Sequence, residues 1–258
     1  MPMPAYVNSG TAVRLIVSSV AAVSGLTLAP PGSLVVGNLL VVHVAARATA
    51  NITDDAFSIT QASGVWSLLF DDIITGVARN LIWAKFVTAA AEANVNILVS
   101  AVGTGGNTPL YGVIHQFSNV LNPGTVTYAE AAALQSGNAS GIIQDADITT
   151  SDANRLAVNF VYTNNVGCAP SLPWTGAAGG TWTVRFYSAT AAGQAPQIRL
   201  ITADMVVAGT VGGGRSAAGS AGSQSWGVRG FAFAPCGAAV VPTTPEAMHH
   251  YIMHMGNH

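Results

Sequence analysis

Charge is the scarcest property of this 258-residue chain. Asp, Glu, Lys and Arg make up 8% of its residues, whereas about 25% is usual for a soluble domain. Nine basic and eleven acidic residues give a net charge of −2, and Lys85 is the only lysine. The chain therefore lacks the cluster of basic side chains that neutralises phosphates, and we expect no nucleic-acid partner.

Cysteines and long hydrophobic runs are also scarce. Cys168 and Cys236 are too few for a disulfide scaffold or a four-cysteine zinc site, and the sequence leaves open whether they are bonded to each other. Half of the residues are hydrophobic, but no window reaches about 20 uninterrupted apolar residues. The best window, 15–29, contains serine, glycine and threonine. We therefore expect neither membrane insertion nor a cleaved signal peptide.

The dominant pattern consists of short segments rich in Val, Ile, Leu, Thr and aromatic residues, separated by Gly, Pro, Asn and Asp. This pattern is typical of an all-β protein. The predicted strands lie at 13–19, 39–46, 57–61, 66–71, 81–87, 95–102, 111–117, 126–131, 142–149, 156–162, 182–187, 197–206 and 225–233. So many short strands predict a two-sheet antiparallel β-sandwich or jelly roll. Residues 39–44 are apolar without alternation, which predicts a central strand covered on both faces.

The domain organisation that we predict is a sandwich over residues 1–235 followed by an extended C-terminal arm, 236–258. An alternative division has two related halves, at about 1–120 and 121–235. It rests on Gly64-Val65-Trp66 and Gly180-Thr181-Trp182, each of which opens a predicted strand. Segments 166–180 and 209–222 are rich in Gly, Pro and Ser, and we predict that both are loops.

No catalytic pattern is recognisable in the sequence. A nucleophile elbow, a phosphate loop and a dinucleotide fingerprint are all missing, and no spacing brings two carboxylates together. A glycan-cleaving enzyme would have to use acids such as Asp71 and Asp145. We therefore predict a protein that is not an enzyme and that needs no cofactor.

The C-terminal arm contains the densest cluster of candidate ligands. On a helix, Glu246, His250 and His254 would share one face, and such a set is chemically able to hold zinc, nickel or copper. The interpretation that we favour is different: the arm has no core of its own, so it would pack on a neighbouring subunit. The residues predicted to make that contact are Met248, Tyr251, Ile252 and Met255.

Aromatic and histidine side chains offer fewer candidates. Trp174 lies in a Pro/Gly-rich segment and is a candidate for stacking on a sugar. The other four tryptophans are predicted to fill the core or a sheet edge. His43 and His115 lie inside apolar strands, and we expect them to be core residues hydrogen-bonded to the backbone.

The order of several short motifs resembles a family of virion-associated β-sandwich proteins of tailed phages and prophages. The motifs are 37–47 (GNLLVVHVAAR), 64–69 (GVWSLL), 83–90 (WAKFVTAA), 114–120 (IHQFSNV), 148–158 (ITTSDANRLAV) and 225–235 (SWGVRGFAFAP). The resemblance covers roughly residues 30–235 and excludes the C-terminal arm. It implies a non-enzymatic part of a tail or capsid surface.

These observations predict a structural component of a bacteriophage virion, one that decorates the capsid or belongs to the tail or adsorption apparatus. Its partners would be copies of itself and other virion proteins, and its location the virion. The alternative is a carbohydrate-binding module that contacts a host surface glycan. Neutral surfaces tend to associate, so we also expect a homo-oligomer, a trimer or a ring, with residues 242–258 on another subunit.

Overall fold

The structure is a computed structural model. It describes residues 2–17, 24–47, 56–74, 78–100, 108–122, 130–131, 134–137, 142–144, 148–164, 182–189, 198–211, 215–217 and 226–236. The described residues contain seventeen β-strands and no helix. The first nine strands are β1 (Ala5–Ser9), β2 (Val13–Val17), β3 (Ser24–Leu28), β4 (Leu39–Arg47), β5 (Ala56–Thr60), β6 (Ser67–Ile74), β7 (Ala78–Phe86), β8 (Val95–Ser100) and β9 (Thr108–Ser118). The remaining eight are β10 (Glu130–Ala131), β11 (Gln135–Gly137), β12 (Ile142–Gln144), β13 (Ile148–Thr163), β14 (Thr183–Ala189), β15 (Arg199–Val211), β16 (Arg215–Ala217) and β17 (Trp226–Phe233).

The all-β prediction is confirmed, and the sheets are antiparallel throughout the described residues. Each predicted strand overlaps an observed one, and β4 is buried along almost its whole length, as its unbroken apolar sequence indicated. The prediction of a loop over 209–222 was wrong in part. Strand β15 continues to Val211, because Val211 pairs with Ile148 of β13, and the short strand β16 follows. The antiparallel partners satisfy the backbone there despite the glycines nearby.

Two large sheets form the body of the molecule. In the first, the strand order is β1-β9-β4-β7-β6, with β2 also paired to β9. In the second, the order is β10-β17-β13-β15-β14, with β11 also paired to β17. A three-stranded sheet, β3-β8-β5, and a two-stranded sheet, β12-β16, complete the described strands. The first large sheet is built entirely from residues 5–118 and the second from residues 130–233.

The two large sheets pack face to face and thereby form the sandwich. Leu39, Val41 and Phe117 of the first sheet share one buried cluster with Phe160 and Phe233 of the second. The opposite face of the first sheet packs on the three-stranded sheet, where Leu26 and Ile97 contact the apolar residues of β4 and β7. The described part of the molecule thus has a third layer beyond the predicted two. The apolar faces of β4 meet both neighbours, which explains why its sequence does not alternate.

The two halves of the chain follow the same pairing order. We call β1–β9 the N-terminal half and β10–β17 the C-terminal half. Each strand of the first large sheet has a counterpart in the second: β1 corresponds to β10, β2 to β11, β9 to β17, β4 to β13, β7 to β15 and β6 to β14. The β3-β8 pair likewise corresponds to the β12-β16 pair. A common origin of the halves stays a prediction, but their strand order is shared.

The shared order extends to single residues. The register shifts between Leu68 and Phe70 in β6, and it shifts between Val184 and Phe186 at the corresponding place in β14. Gly37 lies two residues before Leu39 of β4, and Asn154 lies two residues before the corresponding Leu156 of β13. Both have a positive φ, 89° for Gly37 and 67° for Asn154. Below, residues that occupy the same register position in the two halves are called equivalent.

Candidate functional site

Most of the residues predicted to form a site lie outside the part of the chain that the structure describes. These are Glu246, Met248, His250, Tyr251, Ile252, His254 and Met255 of the arm, Trp174, Asp145 and Cys168. Cys236 is described, and it is a free, exposed cysteine. Asp71, the other acid considered for an enzyme, is engaged in an ion pair with Arg79 on the neighbouring strand.

A histidine pair lies at the centre of the interface between the two large sheets. His43 on β4 and His115 on β9 are fully buried, and their ring centroids are 6.4 Å apart. The Nε2 atom of His43 is 2.8 Å from Oδ1 of Asn80, and Nε2 of His115 is 3.0 Å from Oγ1 of Thr202. Their core position agrees with the prediction, but the expected backbone partners were wrong, because neighbouring strands already use those backbone groups.

Both imidazoles are held in the neutral form. Burial lowers the pKa of His43 from 6.5 to about 4, although the hydrogen bond with Asn80 opposes this shift. Burial also lowers the pKa of His115 well below 6.5, and the nearby His43 adds to the effect. The Nδ1 atom of each ring has no hydrogen-bond partner among the described residues. Protonating either ring would place an uncompensated charge between the sheets.

Polar contacts at the edge of this interface join the two halves of the chain. Asp72 on β6 forms a buried ion pair with Arg229 on β17, and the Arg229 guanidinium lies 4.4 Å from the centre of the Phe70 ring. On the other side, the hydroxyls of Tyr111 and Ser188 are hydrogen-bonded to each other. These contacts fix the two sheets relative to each other with a specificity that apolar packing alone does not provide.

The most unusual cluster surrounds the single lysine. Lys85 on β7 is 3% exposed, and its Nζ atom donates hydrogen bonds to Oε1 of Gln61 and Oε2 of Glu92, both at 2.6 Å. It also donates to the carbonyl oxygen of Ser63. The centre of the Trp66 ring is 5.5 Å from Nζ. A buried ammonium needs such a set of acceptors, because an isolated one would cost several kcal/mol.

Glu92 completes this cluster with four hydrogen bonds of its own. Its side chain is fully buried, and it accepts from Lys85, from the Ser63 hydroxyl, from the backbone N–H of Thr88 at 3.1 Å and from the Thr88 hydroxyl at 3.4 Å. Burial raises the pKa of Glu92, but the hydrogen bonds, led by that from Lys85, outweigh burial and hold the pKa below its ordinary value. Glu92 is therefore held as a carboxylate beside Lys85.

The local sequence explains how these groups come together. Lys85 sits near the end of β7, directly opposite Leu40 of β4. Gln61 and Ser63 follow β5, and Glu92 lies in the bends between β7 and β8, so three separate segments converge on one amine. Sequence reasoning did not select this cluster. A lone lysine inside the apolar run 81–87 was the signal that should have selected it.

Four acidic side chains share one property: each is in an ion pair with a basic side chain. The pairs are Asp71–Arg79, Asp72–Arg229, Glu92–Lys85 and Asp204–Arg185. By contrast, several large apolar side chains are exposed near β6 and in the 33–38 turn: Val35, Val36, Val65, Leu68 and Ile73. The surface around β6 therefore combines exposed apolar side chains with an aspartate, Asp71, that is paired with Arg79.

The described ranges show neither a metal-binding cluster nor a membrane-spanning helix. They contain no group of three or more His, Cys, Asp or Glu side chains placed to hold a metal ion. They also contain no helix long and apolar enough to cross a membrane. Comparison of the chain with protein-family models, with curated proteins and with solved structures finds no match.

Proposed function

We propose that this chain is a non-enzymatic structural component of a bacteriophage virion, on the capsid surface or in the tail. The observation that carries the proposal is the surface just described. Four acidic side chains are engaged in ion pairs, and apolar side chains are exposed along β6. Soluble monomers normally rely on free charge to prevent association. A subunit that is packed against neighbours in an assembly does not need free surface charge.

The exposed edge of the first large sheet is the surface on which we place a neighbour. Strand β6 pairs with β7 on one side and has no partner strand on the other among the described residues. Its side chains Leu68 and Ile73 are 52% and 43% exposed, and Val65 just before it is 88% exposed. Unprotected edges with apolar side chains promote pairing with another chain. A second copy of this chain is the partner that homo-oligomer formation requires.

A charge introduced on this edge tests the contact. Leu68→Lys places an ammonium within the proposed contact, and it should lower the oligomer size measured by sedimentation or light scattering. Ser58→Lys is the matched control, because Ser58 is exposed on β5 and polar. An unchanged oligomer in Leu68→Lys, or equal loss in both variants, would rule out the β6 edge as the contact.

The virion location needs a separate measurement. Mass spectrometry of purified particles should detect the chain at a fixed ratio to the major capsid protein, and absence of the chain would end the proposal. The C-terminal arm is tested by deleting residues 241–258. We expect the deletion to lower assembly while the sandwich stays folded, since the arm is proposed to lie on another subunit.

A further inference from the structure

The Lys85 cluster contains every group that an intramolecular transamidation requires. An amine, a carboxamide and a carboxylate meet in a site from which solvent is largely excluded: Lys85 is 3% exposed, and the Glu92 side chain is fully buried. The Lys85 Nζ atom is 2.6 Å from Oε1 of Gln61, so the amine lies beside the carbonyl carbon that bears this oxygen. Such fixed proximity replaces a slow bimolecular encounter with an intramolecular one.

Hydrogen bonds at both ends hold the Gln61 carboxamide in one orientation. Oε1 accepts a second hydrogen bond, from Nε1 of Trp66 at 3.0 Å, and Nε2 donates to the carbonyl oxygen of Ala93 at 2.5 Å. An indole N–H is only a donor and a carbonyl is only an acceptor, so these two partners fix which end of the amide is oxygen. The Trp66 donor is placed to stabilise negative charge that develops on Oε1.

We propose that Lys85 and Gln61 become joined by an isopeptide bond, with Glu92 as the group that moves the proton. Glu92 takes a proton from the Lys85 ammonium, and the free amine attacks Cδ of Gln61 to form an Nζ–Cδ bond. Glu92 passes this proton to Nε2 of the tetrahedral intermediate, the Cδ–Nε2 bond breaks, and the nitrogen leaves as ammonia. Nζ still carries two hydrogens at this point, so it gives one proton to Glu92 as the amide forms, and the departing ammonia takes that proton away as ammonium. No oxidant, metal or other reactant is needed, and the product lacks one ammonia relative to the encoded chain.

The cross-link would fasten the segment after β5 to the end of β7. It would replace a charged contact, which protonation of Glu92 weakens, by a covalent bond that acid does not weaken. The proposal is independent of the virion assignment, because the reacting groups all belong to one chain.

The experiment is simple because Lys85 is the only lysine. The intact wild-type protein is measured by mass spectrometry and is then unfolded and treated with an amine-reactive reagent. We expect a mass one ammonia below the encoded value, no label at residue 85, no tryptic cleavage after residue 85, and a linked peptide pair that contains Gln61 and Lys85. The encoded mass with a labelled Lys85 overturns the proposal.

Two variants separate this reaction from other losses of ammonia. Glu92→Gln removes the proton acceptor but keeps the shape of the side chain, and it should show the encoded mass after allowance for the substitution. Gln61→Met removes the electrophile, and in this variant Lys85 should be labelled after unfolding. If the mass deficit persists in Gln61→Met, the ammonia comes from elsewhere and the proposal is wrong. Since wild-type protein alone gives a decisive result, poor folding of a variant does not leave the question open.

Discussion

The N-terminal and C-terminal halves share one strand order, yet they differ at equivalent positions. Lys85 faces Leu40 in the first large sheet, while the equivalent Met205 faces Ala157 in the second. Lys85 is held by a carboxylate and two carbonyl groups, whereas Met205 lies in an apolar cluster. The same place in the fold therefore accepts either a buried charge with all its partners or no charge at all.

The tryptophans that precede β6 and β14 show the same contrast. Trp66 donates its indole N–H to Gln61, and the Lys85 cluster is built around that contact. In the equivalent Trp182, Nε1 has no hydrogen-bond partner within the described ranges. Both tryptophans are more than nine-tenths buried, so apolar packing holds the ring in each half. Only the N-terminal half adds a hydrogen-bond partner for the indole N–H.

The largest loss of stability is expected when Lys85 is replaced by methionine, the residue at the equivalent position 205. In a Gln61→Met background, where the proposed cross-link cannot form, Lys85→Met leaves Glu92 buried without its cation, and we expect a loss of about 3–5 kcal/mol in the free energy of unfolding. The measurement is urea denaturation at neutral pH. In the same background, adding Glu92→Leu to Lys85→Met removes both charges and should recover most of the loss. If Lys85→Met is as stable as its Gln61→Met parent, the charge pair does not hold this end of the sheet.

Histidine protonation is a property of the N-terminal half, since His43 and His115 have Phe160 and Phe231 as their equivalents. The pKa of His43 is about 4 in the folded chain against 6.5 unfolded, so the unfolded state binds more protons between these values. The free energy of unfolding should therefore fall as the pH drops from 6.5 to 4, by about 3 kcal/mol for this ring. Denaturation curves across this range measure the slope. His43→Phe should flatten it, and an unchanged slope would assign the proton uptake to other groups.

Breaking a contact between the halves should cost less. Asp72→Asn removes the charge that pairs with Arg229 of the other half, and we expect a loss of about 1.5–3 kcal/mol. Asp71→Asn is the matched control on the adjacent residue. The partner of Asp71, Arg79, belongs to the same half, and the Asp71 side chain is 29% exposed. That loss should stay below about 1 kcal/mol. Equal losses would mean that the Asp72–Arg229 pair makes no special contribution to the joining of the sheets.

The smallest effect is expected at the two positive-φ positions. Gly37→Ala forces a Cβ into the left-handed region and should cost about 1–2 kcal/mol. Asn154→Gly, at the equivalent position, should change stability by less than about 1 kcal/mol, because asparagine already tolerates this conformation. Thermal unfolding of the two variants gives the comparison. A larger loss in Asn154→Gly than in Gly37→Ala would show that the asparagine side chain has a role of its own.

Most strands were predictable from sequence because they carry a local signal, but β1, β3, β11 and β16 were missed. The apolar run of β4 and the alternation of β17 are readable without knowledge of their partners. The cluster around Lys85 was not predictable in this way. Gln61, Lys85 and Glu92 lie in three segments whose convergence depends on the pairing of β5 with β8 and of β6 with β7, and only the lysine stands out in the sequence.

The repeated Gly-x-Trp motif gave the right equivalence for a limited reason. Trp66 and Trp182 occupy the same buried position at the start of β6 and β14, so packing selected the same residue twice. Elsewhere, equivalent positions such as His43 and Phe160 share only burial and size. Equivalent positions therefore differ in residue type where side chains of different chemistry fill the same space. At such positions only the shared strand order shows that the halves correspond.

The face-to-face packing of the two large sheets has a symmetry that the chain itself does not have. His43 touches its own equivalent Phe160, with ring centroids 5.2 Å apart, and Phe117 touches its own equivalent Phe233 at 5.4 Å. The contact of Phe70 with Phe231, at 5.4 Å, is matched by that of Phe186 with His115, at 5.1 Å. The two sheets are thus related by an approximate two-fold axis through the middle of the molecule. An interface of this kind is self-complementary, as in an isologous dimer, and one polypeptide here supplies both subunits.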